Sequence, residues 1–198
     1  MVVERIAVAE LTLELERPDS PEALIDEETF AEDEFLPYWA ELWPSGIALA
    51  ETIAPLPLAG SRVVELGCGL GLPSLVAAAR GAVVVATDWA ADAISLLARN
   101  AARNAVELNA VVADWRDSSA LPRGRFDLIL AADVLYEDRN AAPLLAMLSV
   151  RLAPGGRALV ADPGRRHAAT FVEAAQTMFA VEELDGDWGV NARLYVVR

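Results

Sequence analysis

The chain contains no lysine: all 16 of its basic residues are arginines, set against 30 acids in 198 residues. It has one cysteine, Cys68, and one histidine, His167. A single cysteine excludes an internal disulfide, and one Cys with one His falls short of the clustered donors that a zinc-type centre needs, so no metal is expected. His167 has no serine or cysteine partner implied by spacing, and Cys68 lacks the cationic neighbour that activates a thiol. No apolar run approaches the roughly 20 residues of a membrane span. The N-terminus has acids where a secretory leader would have a basic region and an apolar stretch. A net charge of −14 leaves no basic patch for phosphates, which excludes nucleic acid and an anionic membrane surface as partners. These absences together point to a reducing cytoplasm.

What is present is apolar and unevenly charged. Hydrophobic residues make up 55% of the chain, 38 alanines among them. A chain of this length buries roughly 70% of its unfolded surface, enough for one domain without a metal or disulfide. Residues 1–41 hold 13 acids and only Arg5 and Arg17, a balance of −11, whereas residues 42–198 hold 17 acids and 14 arginines, a balance of −3. The sequence therefore divides into an acidic arm, 1–41, expected as an edge strand plus a short helix, and a nearly neutral body, 42–198.

In the body, short apolar runs alternate with helical patterns, which predicts a parallel sheet covered by helices on both faces. The runs are 62–68, 82–88, 110–115, 126–133 and 157–162. They are rich in Val, Ile and Leu without polar alternation, as strands buried on both faces should be. Ile94, Leu97, Ala98, Ala101 and Ala105 follow a helical period, as do Phe171, Ala174, Ala175 and Met178. Gly81 and the run Ala153-Pro154-Gly155-Gly156 supply helix stops, and Pro44 opens a short helix closed by Pro55. The chain ends in an antiparallel hairpin, 181–187 and 192–198, around Trp188-Gly189-Val190-Asn191. In the arm, 7–16 alternates Val8, Leu11, Leu13 and Leu15 against acids and reads as one edge strand. The predicted fold is α/β, Rossmann-like, with a mostly parallel seven-stranded sheet.

The chemistry lies at the strand ends. Val63–Pro73 runs from a buried strand through Gly67, Gly69 and Gly71 into a helix; such a turn lets backbone approach a ligand and presents amides at a helix N-terminus. A dinucleotide fingerprint needs its third glycine at position 72, which is Leu, and this disfavours NAD. Thr87-Asp88-Trp89 ends the second strand 23 residues after Glu65. Asp88 there suits both ribose hydroxyls of a nucleoside, or caps the following helix. Asp114 and Trp115 end the third strand and offer a carboxylate for an amino group and an indole face for a base, or, for Trp115, core packing.

These residues resemble the class I S-adenosylmethionine-dependent methyltransferases, with Glu65–Gly71 as the cofactor loop and Asp88 as the ribose acid. Asp133-Val134-Leu135-Tyr136 is similar to the Asp-x-x-Tyr motif of the family 16 group, dominated by protein-lysine methyltransferases, and Pro37–Gly46 is similar to that group's Trp-containing segment. Asp162-Pro163-Gly164-Arg165 resembles the branch that methylates the electron-transfer flavoprotein β subunit. The run Asp88-Trp89-Ala90-Ala91 departs from that branch's Asp-x-Asp-Pro.

The resemblance implies S-adenosylmethionine as cofactor, contacted by Trp43, Gly67, Cys68, Gly69, Asp88, Trp115 and Ala132, with Glu65, Gly71, Trp89 and Asp114 completing the candidate set. It implies catalytic roles for Asp133 and Tyr136 and a substrate channel of Trp39, Trp43 and Tyr136. The acceptor is then a protein bearing a lysine. Two other readings stay open: a small-molecule N- or O-methyltransferase acting on a small amine or hydroxyl, and a noncatalytic cofactor-binding scaffold. The acidic arm either steers a basic acceptor or simply keeps an alanine-rich body soluble.

Overall fold

The computed structural model describes residues 1–20 and 37–198. The chain opens with a hairpin, β1 (Val2–Val8) and β2 (Leu11–Arg17), which forms its own two-stranded antiparallel sheet. This corrects the single edge strand expected over 7–16. Ala9 adopts φ +49° and turns the chain, so the alternation on either side belongs to two strands. The short helix expected in the arm carries no bounds from the sequence; residues 21–36 of the arm lie outside the described ones, and the described part holds one 3-10 turn, Tyr38–Ala40.

A turn of 3-10 helix, Tyr38–Ala40, leads into α1 (Pro44–Ile53), where Pro44 stands at the first helical position and supplies a fixed φ at no hydrogen-bond cost. There follow β3 (Arg62–Leu66), α2 (Leu72–Ala79), β4 (Val83–Asp88), α3 (Ala91–Arg103), β5 (Asn109–Val112), β6 (Phe126–Ala132), α4 (Ala141–Arg151), β7 (Leu152–Asp162), α5 (Arg166–Ala175), β8 (Val181–Leu184) and β9 (Arg193–Val197). From β3 to α5 strands and helices alternate as the apolar runs predict, except that β5 and β6 are joined by a loop with one 3-10 turn, Ser118–Ala120.

The main sheet has the order β5-β4-β3-β6-β7-β9-β8. β3 pairs parallel with both β4 and β6, and β9 pairs antiparallel with β7 and β8. Successive strand residues face opposite layers. Val63, Leu128, Leu130, Leu159 and Val196 pack with α1, α2 and α3, whereas Val64, Ile129, Val160 and Val197 pack with α4 and α5. β7 starts at Leu152 and not at Arg157, because the Pro154-Gly155-Gly156 stretch breaks its register against β6 without ending it.

The helix faces differ in part from those the periodicity gives. On α3, Ala98 is exposed, and Ala105 lies beyond the helix at φ +52°, while Asn100 is buried. The cause is a second partner. Asn100 exchanges hydrogen bonds with the backbone of Glu16 (2.7 and 3.0 Å) and Asn104 with that of Glu14 (2.8 and 2.7 Å), so two amide side chains act as a strand edge for β2. Met178 is exposed past the end of α5, and Phe179 packs in its place. Among the described residues no helix is long and apolar enough to cross a membrane.

Candidate active site

The sheet changes direction between β3 and β6: from β3 the chain progresses outward to β4 and β5, and from β6 the opposite way to β7. Crevices form at the carboxyl ends of strands at such a point. A cavity of about 370 Å³ lies there, within the range of small-molecule sites.

Its floor is the turn after β3. Gly67, Gly69 and Gly71 all have positive φ, at +66°, +50° and +73°. Gly71 caps α2, and a methyl group added to it would fall 2.4 Å from Leu97 Cδ1. At Gly69 the same addition would meet the Trp39 carbonyl at 3.1 Å, so the aromatic segment rests directly on the glycine turn. Both positions therefore require glycine for conformation and for closeness.

Two carboxyl groups fix this turn. Asp88, at the tip of β4 and 4% exposed, accepts from Gly69 N (2.9 Å) and Ala90 N (3.0 Å). Burial pushes its carboxyl above the usual range, and the backbone donors at Ala90 and Gly69 oppose this. Glu65 is fully enclosed and accepts from Ser74 N (2.9 Å) and from the Ser74 hydroxyl. Desolvation raises it to about 8, partly offset by those Ser74 bonds. Cys68 lines the cavity, and burial pushes its thiol well up, away from nucleophilic form.

Trp89 and the buried Trp115 form walls, with Trp115 Nε1 and Val134 facing Gly67. Asp114 does not reach the cavity. Its carboxylate is held by Arg116 through Nε (2.9 Å) and Nη2 (2.7 Å), which lowers it below the ordinary carboxylate range. β5 ends at Val112, the Ala113 amide still donates to Asp88 O (2.8 Å), and of residues 113–115 Trp115 lines the cavity.

On the opposite side Ala132, Asp133, Val134 and Tyr136 close the cavity. Asp133 has φ +58°, outside the range most side chains adopt, and its amide donates to Ala161 O (2.9 Å). Asn140 Nδ2 holds the same loop through Val134 O (2.8 Å). Tyr136 is half exposed at the rim. Trp39, Trp43 and Tyr38 complete the mouth: the Trp43 ring NH donates to Tyr38 O (2.8 Å), and the two rings lie 6.2 Å apart.

The structure thus brings together Trp39, Trp43, Glu65, Gly67, Cys68, Gly69, Gly71, Asp88, Trp89, Trp115, Ala132, Asp133 and Tyr136, and leaves out Asp114. It adds Tyr38, Glu41 and Arg165. Tyr38 and Glu41 flank tryptophans already singled out, so proximity in sequence was a usable signal; Arg165 reaches the site from beyond β7. His167 lies on α5 beside Asp138 and does not line the cavity. Among the described residues, no group of three or more His, Cys, Asp or Glu side chains is arranged to hold a metal.

Comparison with known proteins gives these features a family. A family model described as "Lysine methyltransferase" matches residues 29–177. The electron transfer flavoprotein beta subunit lysine methyltransferase of Xenopus laevis is 36% identical over 137 residues, covering 65% of this chain and 53% of that protein. The chain spans about half the length of these flavoprotein-directed relatives. Protein N-lysine methyltransferase METTL21A of Danio rerio is 31% identical over 168 residues, covering 79% of this chain and 75% of its own length. Among solved structures, the Thermus thermophilus 16S rRNA N2 G1207 methyltransferase RsmC, in complex with AdoMet and guanosine, shares the fold at TM-score 0.73 and 18% identity, covering all of this chain and 50% of that one. Magnesium protoporphyrin IX methyltransferase from Synechocystis, with bound SAM, shares it at TM-score 0.62 and 16% identity, covering 89% of this chain and 99% of that one. With a match that runs from upstream of the aromatic mouth past Arg165, the chain belongs to the lysine methyltransferase family.

Proposed function

We propose that the protein methylates the side-chain amine of a lysine on a protein substrate, using S-adenosylmethionine, in the cytoplasm. The observation that carries this reading is the joining, in one cavity, of a nucleoside-type floor (the glycine turn, Asp88, Trp115) with a second half suited to an amine (Asp133, Tyr136, Trp39, Trp43). The floor fits the cofactor: close-approach glycines, a buried carboxylate at a strand tip and an indole wall are the groups a nucleoside needs.

Bound there, S-adenosylmethionine supplies a methyl carbon on a sulfonium sulfur, so that a bond formed from the acceptor nitrogen replaces the carbon–sulfur bond and its electron pair returns to sulfur. The residues of the chain then have three tasks. They hold the acceptor nitrogen about 3–3.5 Å from the carbon and in line with the bond to be broken. They free a nitrogen lone pair, since a lysine amine has a reference pKa of ~10.4 and an aromatic-walled, desolvated channel lowers it. They also accept a hydrogen bond from the amine, for which the Asp133 carboxylate is suited, since Asp133 lines the cavity beside Tyr136.

A protein acceptor is favoured by the named activities of the relatives and by the exposed mouth formed by Tyr38, Glu41 and Tyr136, which suits a side chain entering from a surface. The test is incubation with methyl-labelled cofactor, first with purified electron-transfer flavoprotein β subunit and then with lysate fractions, with the labelled residue identified by mass spectrometry. Label on lysine supports the reading; label confined to small molecules overturns the protein acceptor. Absence of cofactor binding by calorimetry overturns the methyltransferase itself.

A further inference from the structure

We propose that Arg165 is a positioning residue: by holding Asp133 Oδ1 it fixes the direction of the Asp133 carboxylate at the cavity wall, where the acceptor nitrogen enters. This rests on the reading of Asp133 given above. Arg165 Nη1 lies 2.6 Å from Asp133 Oδ1 and 3.0 Å from Asp162 Oδ2. Asp162, wholly buried at the end of β7, also accepts from Gly164 N (2.8 Å) and Arg165 N (2.6 Å), so the guanidinium is anchored at both ends of its own residue. The chain of contacts ties the end of β7 to the end of β6. Asp133 cannot turn freely, because Oδ1 is engaged and Oδ2 is shielded from solvent with no hydrogen-bond partner among the described residues, while the residue itself lines the cavity.

The charge balance explains why an arginine is tolerated beside a site meant for a cationic cofactor and an amine. Set between Asp133 and Asp162, Arg165 leaves the trio at a net charge of −1. Among the described residues the other acids bordering the cavity are Glu65, Asp88 and Glu41. Glu65 and Asp88 are committed to Ser74, Gly69 and Ala90, and Glu41 is exposed on the mouth segment. Asp133 therefore supplies the acceptor atom, and Arg165 supplies its direction.

Two cofactor analogues test this without an identified acceptor. S-adenosylhomocysteine lacks the methyl group, and sinefungin carries an amine-bearing carbon in place of the methylated sulfur, so the ratio of their affinities reports on hydrogen-bond acceptance at the methyl position. Both are titrated by calorimetry into the full chain, into Arg165→Met and Arg165→Lys, and into Asp133→Asn. The wild-type chain should prefer sinefungin, and Arg165→Met should lose about tenfold of that preference, the scale of one hydrogen bond to a charged group. S-adenosylhomocysteine affinity should stay within about threefold, and Arg165→Lys should recover part of the preference. Asp133→Asn should lose it as well.

The sign separates positioning from simple charge. Removing a cation strengthens the binding of sinefungin's ammonium by Coulomb attraction alone, so an unchanged or increased preference in Arg165→Met overturns the proposal. Equal loss of both analogues in that variant overturns it too, because the residue would then be structural. A wild-type chain that binds both analogues without preference overturns the role of the Asp133 carboxylate, and one that binds neither overturns the cofactor reading itself.

Discussion

Gly71 concentrates several demands in one residue: it adopts left-handed φ, caps α2 and leaves no room for a side chain against Leu97. Gly71→Ala should cost roughly 1–3 kcal/mol of unfolding free energy in denaturant melts and weaken cofactor binding, both measurable on the same sample. Asp88→Ala should abolish cofactor binding by calorimetry, whereas Tyr136→Phe should lower turnover and leave binding largely intact; equal loss in both would contradict these roles. Glu65 yields a pH prediction. Its carboxyl is raised to about 8 in the fold, so folding favours the protonated form. The corresponding stability is present below the ordinary glutamate pKa and is lost as pH rises from there through about 8. Denaturant melts of the wild type across that interval should lose a few kcal/mol that Glu65→Gln retains, since the amide oxygen still accepts from Ser74 and carries no charge. At this scale the sequence displayed most of the cavity, because a glycine turn and acids at strand tips carry their spacing with them. It did not display the Arg165 link or the diversion of Asp114 to Arg116, because each depends on which neighbour wins a carboxylate in space.

The inner strands of the sheet were legible because burial on both faces leaves unbroken apolar runs, and the terminal hairpin because the turn at Trp188–Asn191 precedes one more such run, Leu194–Val197, although its outer strand stops at Leu184 and not at Asp187. The N-terminal hairpin was not: its turn consists of Ala9 and Glu10, without glycine, proline or asparagine to mark it. Nor was its mooring on α3, since asparagine on a helix normally reads as a solvent-facing residue. Asn100 and Asn104 together carry four hydrogen bonds to the backbone of β2, and Arg99 and Arg103 add ion pairs to Glu16. Asn100→Ala should destabilise the protein by about 1–3 kcal/mol, leaving Glu16 N and O without partners. Hydrogen exchange should show lost protection in β2 while β3 and β6 keep theirs. Loss spread evenly through the sheet would mean that the hairpin is part of a single cooperative unit.

Across the whole molecule the charge divides differently from the simple arm and body. The hairpin acids are matched: Glu4 with Arg17, Glu10 with Arg80, Glu14 with Arg5, and Glu16 with Arg99 and Arg103. The surplus sits in sequence between positions 22 and 34, seven acids with no basic residue, just ahead of the aromatic mouth. If this surplus attracts a lysine-rich acceptor, raising salt from about 50 to about 300 mM, about a 2.4-fold contraction of the Debye length, should slow methylation of a basic protein and leave cofactor binding unaffected. A rate indifferent to salt would assign those acids to solubility. The cavity walls have an optical consequence as well. Four of the five tryptophans line that one space, and the fifth, Trp188, sits in the terminal hairpin loop. The intrinsic emission of the unlabelled protein is thus dominated by its own binding site, which makes quenching or a wavelength shift on titration a direct readout of what enters it.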